Sequence, residues 1–221
     1  MQPDYQALMV SESRDLASLL ERLPAEQWDA PSLCAGWRVK DVVAHMAVGH
    51  TMSVLGFGAA VARHGFRINA ASYALATSYA DAHSVDEILA LFREGTAGPP
   101  RAAARFVPIR ELFTDHLVHH QDIRRPLGLP RLIAVDRLHA ALTALPTLSG
   151  RVGSRRRMSG LRVVATDIDF EYGEQGPELR GPSEALIMAL TGRAEALAEL
   201  SGDAVPMLTG RVPLMTTGVL R

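Results

Sequence analysis

A chain of 221 residues with 48% hydrophobic and 21% charged side chains has enough apolar surface to bury a core, and it reads as a globular protein. A formal net charge of -1 speaks against a protein that works by neutralising nucleic-acid phosphates. The single cysteine, Cys34, excludes an intramolecular disulfide and fits a reducing compartment. The opening MQPDYQALMV lacks the basic start and apolar core of a signal peptide. The longest apolar run, Val54 to Ala62, is too short to span a bilayer. A cytoplasmic protein with no membrane or nucleic-acid partner is expected.

Apolar side chains at Leu8, Leu16, Leu19, Leu20 and Leu23 have helical spacing, and Pro24 ends that helix. A loop follows with Pro31 and Gly36, bracketed by Trp28 and Trp37, and Cys34 is expected to pack within it. A second helix is predicted from Val39 through Arg63, with Val42, Val43, Met46 and Val54 on its buried stripe and His45 beside them. A histidine on an apolar face is more often a hydrogen-bonded core residue than a ligand. Asn69 to His83 is less regular. Ser84-Val85-Asp86-Glu87 is a capping box, opening a third helix with Val85, Ile88, Leu89 and Phe92 on one side. The fourth helix runs from about Ile109 to Arg125 and is stopped by Pro126 and Gly128. Four helices of this length predict a four-helix bundle, whose core is a usual place for a metal site.

The period changes after Pro130. An amphipathic helix is expected over Arg131 to Leu145, then an arginine-rich loop from Ser149 to Gly160. Leu161 to Ala165 and Asp167 to Tyr172 read as strands, and Gly181-Pro182 starts a last helix reaching about Leu200. The tail from Ala204 carries no assigned element. The reading is a mainly α chain: a helical bundle over residues 1–130, then a small α/β domain over residues 131–221.

The chemistry concentrates in Asp115 to Gly128, DHLVHHQDIRRPLG. Residues four apart on a helix share a face, so Asp115 can pair with His119, and His116 with His120. Either pair plus one further ligand would make a metal site with an open position. Ile109, Leu112, Phe113, Leu117 and Ile123 define the apolar side, and periodicity by itself favours His116 with His120. The competing reading packs His116 or His120 in the core with a hydrogen-bond partner and leaves Asp115 solvated.

Three stretches carry a resemblance. Gly36 to His45 (GWRVKDVVAH), Asp115 to Gly128 and the Gly181-Pro182 helix resemble the mycothiol-dependent maleylpyruvate isomerase family, within the wider DinB/YfiT-like group of metal-binding four-helix bundles. The resemblance covers nearly the whole chain and implies an N-terminal DinB-like bundle. It makes His45 the first metal ligand and places Asp115 and His119 in the family's acid-x-x-x-His motif, with Asp122 following. The family isomerase has Glu where this chain has Asp115. The broader DinB-like pattern would select His116 and His120 instead. The expected ligand set is His45, Asp115 and His119.

The resemblance further implies a divalent metal, zinc first, and mycothiol or a similar thiol as cofactor or co-substrate. The expected chemistry is maleylpyruvate isomerase-like or thiol S-transfer, with the thiol as nucleophile. The expected partners are that small thiol and an electrophilic substrate, and the assembly considered is a homodimer. Arg124, Arg125, Arg155 to Arg157 and Arg211 are the cations considered for substrate carboxylates. Asp122 is expected to orient a ligating histidine or to pair with Arg124 or Arg125. The alternative function is a non-catalytic metal- or small-molecule-binding module on the same scaffold.

Overall fold

The structure, a computed structural model, describes residues 3–212. Its contacts fall into two compact units: Asp4–Pro130, and the described residues from Arg131 onwards.

The first unit is helical. Helix α1 (Tyr5–Leu20) begins where the Asp4 carboxylate accepts from the Ala7 amide, and a short α2 (Ala25–Trp28) follows Pro24. The predicted second helix is two helices, α3 (Val39–Thr51) and α4 (Val54–Arg63). Met52 is extended (ψ 134°), and Ser53 caps the new start by accepting from the Gly56 amide. The less regular segment is a full helix, α5 (Ile68–Ala82). Its buried positions are all alanines, Ala71, Ala76 and Ala80, so it lacks the large apolar stripe that sequence periodicity detects. Helix α6 (Val85–Thr96) has the Ser84/Glu87 capping box in both directions. A 3₁₀ turn over Ala102–Phe106 leads to α7 (Ile109–Arg124).

Helices α1, α3, α6 and α7 form the four-helix bundle, with α3 against α6, α5 and α7, and α1 against α7 and α6. Leu16, Leu20, Val42, Val43, Met46, Ile88, Phe92 and Ile123 fill one core. Each such side chain contributes about 1.5–3 kcal/mol on burial. Gly95 lets α6 approach α3 closely, because a Cβ there would lie 2.9 Å from the His50 Cβ.

In the second unit α8 (Val135–Ala144) runs into a 3₁₀ turn, and the arginine-rich loop contains a short α9 (Ser154–Met158). Strands β1 (Arg162–Ala165), β2 (Glu171–Tyr172) and β3 (Glu178–Gly181) make a sheet of order β2-β1-β3, with β2 antiparallel and β3 parallel to β1. Strand β3 was absent from the sequence reading, and β2 is shorter than predicted. Helix α10 (Ser183–Thr191) ends well before Leu200. Gly192 (φ 110°) takes the left-handed conformation, and the buried Arg157 guanidinium donates to the Leu190 carbonyl at the helix end. A 3₁₀ stretch (Ala194–Glu199) and α11 (Val205–Thr209) complete the unit; residues 213–221 of the tail lie outside the described residues. Among the described residues no helix is long and apolar enough to cross a membrane.

Candidate metal centre

Helix α7 turns two chemically different faces to its neighbours. Its inward face carries His116 and His120, which are 1% and 0% exposed. The His116 Nδ1–Ser13 Oγ distance is 2.7 Å, and Ser13 Oγ donates onward to the Met9 carbonyl. His116 Nδ1 therefore donates to Ser13, and Nε2 accepts from His50 Nε2 at 2.8 Å. His120 donates from Nδ1 to Glu12 Oε1 at 2.7 Å and accepts from Arg124 Nε on Nε2 at 2.8 Å. Both nitrogens of both rings are engaged. Burial, with His50 adding to it, pushes the His116 pKa down to about 3.

Asp115 and His119 lie one turn apart on the neighbouring face, with Asp115 Oδ1 3.4 Å from His119 Nε2. Helix α3 supplies His45, whose ring meets His119 edge-on with centroids 5.2 Å apart. The ligand atoms of His45, Asp115 and His119 lie within 4.8 Å of one another. Ideal tetrahedral zinc places such atoms about 3.3 Å apart, so a small closure suffices. The side-chain exposure is graded: Asp115 43%, His119 10%, Asp122 0%. Asp115 thus opens the cluster to solvent.

The electrostatics follow from this grouping. Burial and then the neighbouring His119 push the His45 pKa down to about 4, so this imidazole is neutral with a lone pair to donate. Burial alone would lower the His119 pKa, but the Asp115 carboxylate, Cys34 and Asp122 raise it well above the ordinary value. Partial desolvation opposes ionisation of the half-exposed Asp115, and the neighbouring imidazoles, His119 first, outweigh it and hold the carboxyl below its usual range.

Around the cluster, Ser72 escaped the sequence reading, and Asp122 was named there as a residue that could orient a histidine. His45 Nδ1 is 3.0 Å from Ser72 Oγ, on α5. Cys34, expected only to pack, lies beside the cluster: its thiol donates to Asp122 Oδ2 at 3.1 Å, and Sγ is 3.6 Å from His119 Nδ1. Cys34, His119 and Asp122 are themselves close enough to share an ion. Asp122 Oδ2 also accepts from His119 Nδ1 at 2.8 Å. The Trp37 ring lies 5.0 Å from that of His45 and 6.3 Å from that of His119, with Tyr73 beside it. Gly36 (φ 77°) makes the turn before Trp37, and its carbonyl accepts from the Tyr73 hydroxyl. Of the arginines considered, Arg124 is bonded to His120 and the Leu129 carbonyl. Arg157 and Arg211 donate to backbone carbonyls within the second unit.

The first unit is thus a four-helix bundle with the His45, Asp115 and His119 cluster opening between two of its helices. The model of the mycothiol maleylpyruvate isomerase N-terminal domain matches residues 10–124, more than half of the chain. The chain belongs to that family. Two solved structures share its fold, those of a mycothiol-dependent maleylpyruvate isomerase and of a point mutant of that enzyme. Both are 12% identical in sequence, cover 91% of this chain and 92% of theirs, and give TM-scores of 0.58 and 0.56. No curated protein sequence matches the chain.

Proposed function

We propose that the protein is a divalent-metal-dependent enzyme that uses mycothiol, or a similar low-molecular-weight thiol, in a maleylpyruvate isomerase-like or S-transfer reaction. The observation carrying this reading is the convergence of His45, Asp115 and His119 at a solvent-open point beside a bundle core. Two imidazoles, one carboxylate and an open position suit zinc. When bound there, such a cation supplies Lewis acidity, which lowers the pKa of a thiol so that thiolate forms near neutral pH.

The chain's own residues supply position and shelter. His45 and His119 come from two packed helices, so their separation is set by the α3–α7 contact rather than by a loop. Trp37 walls the histidine pair, restricting water on that side. A thiol held at the cation bound by His45, Asp115 and His119 would supply the nucleophile for either reaction, reversible addition to an activated double bond in the isomerase-like case or lasting addition to one in the S-transfer case.

The test is turnover by the purified, metal-containing protein over a panel containing maleylpyruvate and simple electrophiles, with and without mycothiol. Consumption that requires the thiol and disappears in His119→Ala is expected. No consumption of thiol or electrophile, with metal intact, would overturn the enzymatic reading in favour of a non-catalytic binding module.

A further inference from the structure

We infer that Asp122 and Ser72 are positioning residues that fix the tautomers of His119 and His45, and that Cys34 acts on the site through Asp122. The inference rests on the ligand reading above and assigns three residues that sequence spacing does not single out together. Each of the two histidines has one ring nitrogen tied on the side away from the cluster. His119 Nδ1 is held at 2.8 Å by Asp122 Oδ2, while Nε2 lies on the Asp115 side. An ionised carboxylate only accepts, so Nδ1 keeps its hydrogen, and Nε2 is the nitrogen that presents a lone pair once a cation displaces its proton. His45 Nδ1 is held at 3.0 Å by Ser72 Oγ, which leaves Nε2 as that ring's ligating nitrogen. Both imidazoles would then coordinate through Nε2, an arrangement that neither ring could hold unaided because neutral imidazole exchanges tautomers.

The two supports differ in strength. Asp122 is a fully buried carboxylate and raises the basicity of His119, whereas the Ser72 hydroxyl is neutral. Asp122 is also fixed from the preceding loop. The Leu33 amide donates to its backbone carbonyl at 3.0 Å, and the Cys34 thiol donates to Oδ2, the same oxygen that holds His119. The thiol thereby orients the carboxylate. It is not a ligand in this assignment, although its sulfur lies close enough to be one.

The experiment measures metal affinity by chelator competition, and the absorption spectrum of the cobalt(II)-loaded full-length protein. Asp122→Asn keeps an acceptor but removes the charge, and is expected to weaken metal binding about 10–100-fold. Ser72→Ala should weaken it by a smaller factor, with Ser72→Thr restoring it. Cys34→Ser should bind as wild type does, and Cys34→Ala more weakly. Urea midpoints identify any variant that fails to fold, and the Ser72 pair and the wild-type cobalt spectrum decide the matter if Asp122→Asn is one. Unchanged affinity in both Asp122→Asn and Ser72→Ala, with His45→Ala and His119→Ala losing metal, overturns this inference alone. Metal retained in His45→Ala and His119→Ala overturns the ligand reading beneath it. A sulfur-to-cobalt charge-transfer band that vanishes in Cys34→Ser makes Cys34 a ligand and also overturns the assignment.

Discussion

His119 is the residue at which proton and metal compete. Without a cation it shares its surroundings with ionised Asp115 and buried Asp122, and its pKa stands well above the ordinary imidazole value. Metal binding at neutral pH must therefore expel about one proton. Affinity is expected to rise about tenfold per pH unit through the neutral range, because each unit removes tenfold of the competing protonated form. On acidification the dependence steepens again as His45 protonates near about 4. Chelator competition at several pH values checks this, and affinity flat across the neutral range contradicts it. At this scale the sequence was partly legible. The i, i+4 spacing left the Asp115/His119 and His116/His120 pairs both open, and the family resemblance selected Asp115 and His119 with His45, three residues whose ligand atoms lie within 4.8 Å of one another. Ser72 and Cys34 left no such signal, because their partners are 27 and 88 residues away in the chain and only the fold joins them.

The α1–α7 seam explains why helical periodicity favoured His116 and His120. They do face the interior, but burial requires each polar nitrogen to find a partner, and α1 provides Ser13 and Glu12. These histidines are expected to serve stability rather than metal. Glu12→Ala leaves the fully buried His120 Nδ1 without that acceptor, and should cost about 2–3 kcal/mol in urea denaturation while the metal content stays unchanged. Loss of metal with unchanged stability would contradict this division of the helix. The same seam sets an acid limit. The folded pKa of His116 is depressed to about 3, while the unfolded value is near about 6.5. Between these values the unfolded chain binds more protons, so stability is full above the upper value and falls as pH drops towards the lower. Acid titration of the urea midpoint checks the sign. Element boundaries were legible where capping chemistry is local, as at Ser84, and illegible for α5, whose buried face is alanine.

On the scale of the whole molecule, every residue of the cluster and its supports lies within Asp4–Pro130, which has its own hydrophobic core. A fragment of residues 1–130 is therefore expected to fold cooperatively and to retain the metal affinity of the full chain. A fragment that is helical but binds no metal would contradict this. The change of period after Pro130 foretold a sheet-containing second unit. Strand β3 escaped because a parallel neighbour needs no hairpin signal and its four residues alternate weakly.

The central claim is that His45, Asp115 and His119 together hold one divalent cation. Metal content per chain, measured on tag-free wild-type protein and on His45→Ala, His119→Ala and His116→Ala, tests it most directly. The account predicts about one equivalent in the wild type and in folded His116→Ala, and less than about a tenth in the other two variants. Wild-type protein without metal after incubation with zinc, or metal lost in His116→Ala and kept in His119→Ala, would contradict it.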